Sequence, residues 1–214
     1  MNSDKQRKNG NSVLKEYSRL AKNYDTKWSF YLNATTCETL KRVKINPTDR
    51  VVDIGCGTGI LLHRLDQNSP HVELYGLEPV LSMLDMARQR LSGNVKLYQG
   101  WAESLPFNAE QFDVIVSCNM LHYIREPVLA LQEIRRVLRP SGQLVITDWC
   151  HDYLSCRLLD IFLRWFNNAH FKTYGTEDCI QLLNQLDQVV VNIDRYKINW
   201  FWGSMTAISV KDTP

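Results

Sequence analysis

The chain has 214 residues, 44% of them hydrophobic and 22% charged, with a formal net charge of +2. That length suits one domain whose core buries roughly 70% of the unfolded surface. The near-balanced charge, with no dense Lys/Arg run, excludes an obvious nucleic-acid footprint. No apolar run approaches the ~20 residues of a membrane span. The opening MNSDKQRKNGNS is polar and lacks the apolar stretch of a secretory signal, so a cytoplasmic location is expected. Six cysteines, at positions 37, 56, 118, 150, 156 and 179, form no CxxC pair and no Cys/His cluster of zinc-ligand spacing. They are expected to be reduced thiols, with no metal bound.

In chain order, residues 1–12 read as a flexible tail. From Val13 to about Arg42 the spacing of Leu14, Tyr17, Leu20, Ala21 and Tyr24 predicts a helix. Asn46-Pro47-Thr48-Asp49 is a turn. Strands and helices then alternate: a strand at 50–54, a helix at 58–66, a strand at 72–77, a helix at 81–91, strands at 95–99 and 112–118, a helix at 127–138 and a strand at 143–148. The strands are short, apolar and β-branched with little polar alternation, which predicts parallel strands covered on both faces and a doubly wound α/β sheet. The last third differs. It predicts helices at 153–168 and 176–185, then two strands, 189–198 and 200–211, joined at Asn199. A connection that short forces an antiparallel pair.

The stretch 51-VVDIGCGTGI-60 places Gly55, Gly57 and Gly59 directly after a strand. A dinucleotide site wants G-x-G-x-x-G, yet Ile60 stands where the third glycine belongs. The spacing favours a ligand whose near end is not a pyrophosphate, such as a small zwitterion, with Asp53 drawing an ammonium toward the loop. Glu78 ends the next strand about 20 residues on, where an acid can accept both ribose hydroxyls. That feature alone does not separate NAD from other adenosine ligands.

Together, VVDIGCGTG, GLEPVLSMLDMA, GWAESLPF, FDVIVSCNMLHYI and EIRRVLRPSGQLVITD resemble the ordered motifs of class I S-adenosylmethionine-dependent methyltransferases, within the small-molecule group that includes ubiquinone/menaquinone-biosynthesis enzymes. The match covers roughly residues 13–148. The resemblance implies a Rossmann-like, doubly wound, seven-stranded sheet of order 3-2-1-4-5-7-6, mostly parallel with a C-terminal antiparallel hairpin. It further implies one domain over 13–214, with a helical lid at about 13–45 and a substrate-lid insertion at about 149–175.

By the same resemblance, Gly55, Cys56, Gly57 and Gly59 face the methionine part of S-adenosylmethionine and Asp53 supports its amino end. Glu78 takes the ribose, Pro79 and Val80 flank adenine, Ala102 and Glu103 border the adenine edge, and Asn119 lies beside the methionine moiety. Trp101 stands where relatives often carry an acid. It cannot accept a hydrogen bond there but can stack on the base. Tyr24, in Tyr17-x6-Tyr24-Asp25, either closes over the cofactor or packs a helix on the core.

Methyl transfer needs alignment more than bond chemistry, and a base helps only for some acceptors. His122, Asp148 and His151 follow the fourth and fifth strands and are the candidate base or substrate contacts. Tyr153, Trp165, Phe166, Phe171 and Tyr174, with Trp200, Phe201 and Trp202, suggest the wall of a pocket for a small apolar or aromatic acceptor. The helix at 153–166 leaves a peripheral membrane contact open, although Asp160 and Arg164 fit a solvated face equally well. The competing functions are a non-catalytic cofactor-binding partner protein and a nicotinamide-dependent oxidoreductase.

Overall fold

The computed structural model describes residues 3–69, 71–167 and 169–212. A long helix, α1 (Ser3–Arg42), leads into β1 (Arg50–Ile54), α2 (Ile60–Asn68), β2 (Glu73–Glu78), α3 (Leu81–Arg90), β3 (Lys96–Gln99) and β4 (Phe112–Cys118). A single 3-10 turn, Leu121–Tyr123, precedes α4 (Pro127–Val137), β5 (Leu138–Trp149), α5 (Leu154–Phe166), α6 (Thr176–Asn184), β6 (Gln188–Lys197) and β7 (Gly203–Lys211). The seven strands form one sheet of order β3-β2-β1-β4-β5-β7-β6. β3, β2, β1, β4 and β5 pair in parallel, while β7 runs antiparallel to both β5 and β6. This is the order and the antiparallel end that the sequence implied.

Successive side chains of a strand face opposite sides of the sheet, and both sides here are apolar. Val51, Val114 and Val116 pack toward Leu61, Leu62, Leu65 and Leu84 of α2 and α3. Val52, Ile115 and Leu144 pack toward Leu131 and Ile134 of α4 and Leu183 of α6. Phe112 and Val114 are both buried, and between them the register against β5 jumps from Leu138 to Gln143.

Helix α1 begins at Ser3, ahead of the Val13 start that the apolar spacing predicts, so the expected tail is largely helical. Met1 and Asn2 lie outside the described residues. The helix crosses the carboxyl ends of the parallel strands in two halves. Its first half packs Val13, Leu14, Tyr17, Ala21 and Tyr24 on Val80 and Met83 at the start of α3. Its second half docks through threonines. The Thr35 and Thr39 hydroxyls donate to the carbonyls four residues back, and Thr39 Oγ1 also lies within hydrogen-bond distance of Thr147 Oγ1 of β5, at 2.8 Å. Thr147 in turn is 2.9 Å from Thr206 of β7. Asp25 fastens the middle of the helix by an ion pair with Arg90 and by accepting the Thr58 hydroxyl at 2.6 Å.

The last strand starts at Gly203, not Trp200. The Asn199 side-chain oxygen accepts the N–H groups of Phe201 (2.8 Å) and Trp202 (2.6 Å), so these aromatics are held in a turn. Asp160, read from sequence as compatible with a solvated face, is buried beneath α5, where it accepts from Thr173 N at 2.7 Å and pairs with His170 and Arg164.

Candidate functional site

A cavity opens at the carboxyl ends of β1, β2 and β4, roofed by α1. Its empty space is about 1040 Å³ with the solvent mouth included, enough for a nucleoside-sized molecule. Such crevices lie where strand order reverses in open α/β sheets, and here β2 and β4 flank β1.

The floor is the turn after β1. Gly55 N and Cys56 N both donate to Leu77 O, at 2.8 and 3.0 Å, which ties the turn to the end of β2. Gly55 and Gly57 hold left-handed backbone, φ +79° and +54°. A Cβ on Gly55 would sit 2.6 Å from Met120 Cγ, whereas one on Gly57 would meet nothing within 4 Å and would project into free space. Gly57 is therefore where the main chain is bare toward the cavity. Gly59 (φ +78°) does something else. It does not line the cavity, and its missing Cβ admits Ala87 and Leu91 of α3 at 3.0–3.1 Å. Gly59, expected to face the cofactor, packs α3 against the start of α2.

Glu78 bridges the two strand ends. Its Oε2 accepts from Gly57 N and its Oε1 from Val80 N, each at 3.0 Å. Burial raises its pKa to about 7 against the pull of those two N–H groups. Each carboxylate oxygen keeps a second lone pair, so ribose hydroxyls can still be received. Asp53 lies beside it, 2% exposed. Burial, and then the Glu78 charge, push its pKa up to about 7. Its Oδ1 is buried with no hydrogen-bond partner. A buried carboxylate oxygen left unpartnered is costly, and a cationic donor from the cavity would satisfy it. The donor set thus fits an adenosyl amino acid: bare backbone at Gly57, an acid for a ribose, and an acid awaiting an ammonium.

The other expected contacts also line the cavity: Tyr24, Cys56, Pro79, Trp101, Ala102, Glu103 and Asn119. Trp101 is 38% exposed at the mouth, with a ring free to stack. Tyr24 packs edge-on to Tyr17 at 5.6 Å and also lines the cavity. Asn119 has φ +60°, and its side chain accepts from the Tyr31 hydroxyl at 2.5 Å and donates to Thr35 Oγ1 at 2.9 Å. The sequence did not flag Tyr31. The signal available was its position one helical turn before Thr35 on the buried face of α1.

His122, Asp148 and His151 are not brought to the cavity wall. His122 is 2% exposed, and its Nδ1 lies 2.6 Å from Asp148 Oδ1. The same carboxylate accepts the N–H groups of His122 (3.2 Å) and Trp149 (2.7 Å). Asp148 thus fastens the 3-10 turn to β5 beneath the surface. His151 is half-buried and donates its N–H to Tyr174 O at 2.9 Å. Pairing with Asp148 holds His122 below the crevice, and His151 is tied to Tyr174 beyond the end of β5. The aromatic wall is also smaller than expected. Trp165, Phe166 and Trp200 are exposed and Tyr174 is in the main core, and of the eight aromatics only Trp202 joins Tyr31, Trp28 and Trp149. Leu32 and Ile60 belong to that group and also line the cavity, so it abuts the site.

Residues 52–146 match the family model described as a methyltransferase domain. The chain is 30% identical over 149 residues to the uncharacterized protein YafE of Escherichia coli, covering 66% of this chain and 70% of that protein. It is also 30% identical over 141 residues to the demethylmenaquinone methyltransferase of Thermotoga maritima, covering 64% of this chain but only 61% of that one. The fold superposes with a TM-score of 0.83 on a Haloferax volcanii methyltransferase solved with the Trm112 activator, at 18% identity over 92% of this chain and 98% of the other. The chain belongs to the class I S-adenosylmethionine-dependent methyltransferase family.

Proposed function

We propose that the protein transfers a methyl group from S-adenosylmethionine to a small apolar or aromatic acceptor. The observation that carries this reading is the unpartnered Asp53 Oδ1 beside the backbone-tethered Glu78 carboxylate, under the bare Gly57 turn. Asp53 and the turn would hold the amino-acid end, Glu78 the ribose, and Trp101 with Ala102 and Glu103 the base.

S-adenosylmethionine, when bound, supplies a methyl already activated on a sulfonium. The chain's own contribution is then placement. Helix α1, pinned by Asp25 to Arg90 and Thr58 and by Tyr31 to Asn119, excludes water from above. Alignment of two reactants can lower a barrier by about 7–11 kcal/mol; a protic acceptor also gives up its proton, to solvent or to a base, as the new bond to carbon forms. The Tyr31, Trp28, Trp149 and Trp202 rings, next to Asn119, supply the apolar side from which an acceptor would approach.

The test is transfer of labelled methyl from S-adenosylmethionine into a fractionated metabolite extract. Label in a small apolar product supports the reading. Cofactor binding without label in any fraction would favour a binding partner without turnover.

A further inference from the structure

Helix α5 carries an apolar surface that nothing in the described structure covers. Leu154, Leu158, Ile161, Phe162, Trp165 and Phe166 are all exposed, from 55% to 81%. At 100° per residue they fall within an arc of about 140°. The opposite face is spent on the fold. Cys156 and Asp160 are buried, and Leu159 and Leu163 pack against the Trp149 and Tyr31 cluster. The outward stripe therefore points away from the cavity and cannot be its wall.

The exposed charges of α5 itself are of one sign; of the acids beside it, Asp152 is held by Arg195 and Thr176, and Glu16 accepts from Asn167. The helix has three charged residues, Arg157, Asp160 and Arg164. The acid is inside, 1% exposed and paired with His170 and Arg164, while Arg157 and Arg164 are exposed. They stand seven residues apart, two turns along one border of the stripe. At the other end of the helix the Ser155 hydroxyl donates to Phe201 O, which places the β6–β7 turn against the first turn of α5. That turn adds Trp200, 84% exposed, and the end of β6 adds the exposed Lys197, whose Nζ lies over the Tyr153 ring.

An aliphatic and aromatic stripe, bordered by arginines and with no exposed acid on α5 itself, fits the boundary of an anionic bilayer. It suits a second copy poorly. A two-fold contact of α5 on itself would set the Arg157 and Arg164 borders near one another with no exposed acid on the helix to receive them.

We propose that α5 and the Trp200 turn lie on an anionic membrane surface, with the apolar stripe in the acyl boundary and Arg157, Arg164 and Lys197 at the headgroups. This stands independently of the methyl-transfer reading.

The test is co-sedimentation of the full chain with vesicles of phosphatidylcholine alone or mixed with phosphatidylglycerol. Binding is expected to the mixed vesicles, with much less to phosphatidylcholine. Arg157→Gln should weaken it about fivefold, Arg164→Gln by less because that guanidinium is also paired with Asp160, and Leu158→Ser with Trp165→Ser should abolish it. The variants are checked by circular dichroism and by the S-adenosylhomocysteine affinity of the wild type, so that misfolding is separated from lost docking. No sedimentation with either vesicle, or equal sedimentation with both, overturns the proposal. So does a concentration-dependent dimer, seen by analytical ultracentrifugation, that the serine variants abolish while vesicle binding is absent.

Discussion

Replacing Gly57 by alanine separates the cavity's floor from the fold's stability. Gly57 has φ +54°, so an L residue there adopts left-handed backbone, at about 1–2 kcal/mol. The added methyl meets no atom within 4 Å, so no packing term adds to that cost. For a chain of this size each kcal/mol lowers Tm by about 2–4 °C, giving a drop of roughly 2–8 °C in a protein that still folds. In the liganded state the same methyl occupies space the cofactor needs. A steric misfit of about 1–3 kcal/mol weakens S-adenosylhomocysteine by roughly five- to a hundredfold. Gly59→Ala is the control: its methyl would press Ala87 and Leu91 at 3.0–3.1 Å, so Tm falls while affinity of the folded fraction stays near wild type. Scanning calorimetry and isothermal titration read the two quantities. Wild-type affinity in Gly57→Ala, or lost affinity in Gly59→Ala with an unchanged Tm, would refute this assignment of the two glycines.

The buried acids make a pH prediction. Asp53 and Glu78 are both raised to about 7, against about 4 in an unfolded chain. The native state therefore binds more protons between those values, and their stabilisation is lost as pH rises from about 4 through 7. His170, lowered by burial, acts the other way below about pH 6.5, so the comparison is made against Asp53→Asn. The Tm advantage of that variant over wild type should widen from pH 5 to pH 8, while it binds S-adenosylmethionine more weakly. A Tm difference that does not change with pH would contradict the account of Asp53. His122→Ala should cost roughly 2–4 kcal/mol, because Asp148 is left buried without its partner. In the folded fraction kcat should persist within about tenfold, as measured by single-turnover methyl transfer once an acceptor is found. A collapse of kcat at unchanged Tm would return His122 to catalysis.

The parallel strands and the glycine turn were legible because they depend on local signals, whereas the strand order came with the family resemblance. β-branched runs, the Gly55–Gly57 turn and the Glu78 strand end each declare themselves within a few residues. Roles that depend on partners far along the chain were not. Gly57 and Gly59 look alike in sequence, and only Ala87 and Leu91, on the next helix, tell them apart. His122 and Asp148 follow strand ends as catalytic residues would, yet the left-handed turn at Asn119 and the length of β5 direct them at each other. Asp160 reads as a surface charge on a helix until His170 and Thr173 N arrive beneath it. Trp200–Trp202 read as strand because aromatics favour strands, and the Asn199 side chain overrides that preference.

The central claim is that bare main chain at Gly57, with Asp53 and Glu78, receives an adenosyl amino acid. Calorimetric titration of the purified chain with S-adenosylhomocysteine, and separately with NADH, tests it most directly. One-to-one saturation by the former and no heat from the latter is the predicted result. Saturation by NADH, with S-adenosylhomocysteine inert, would contradict it.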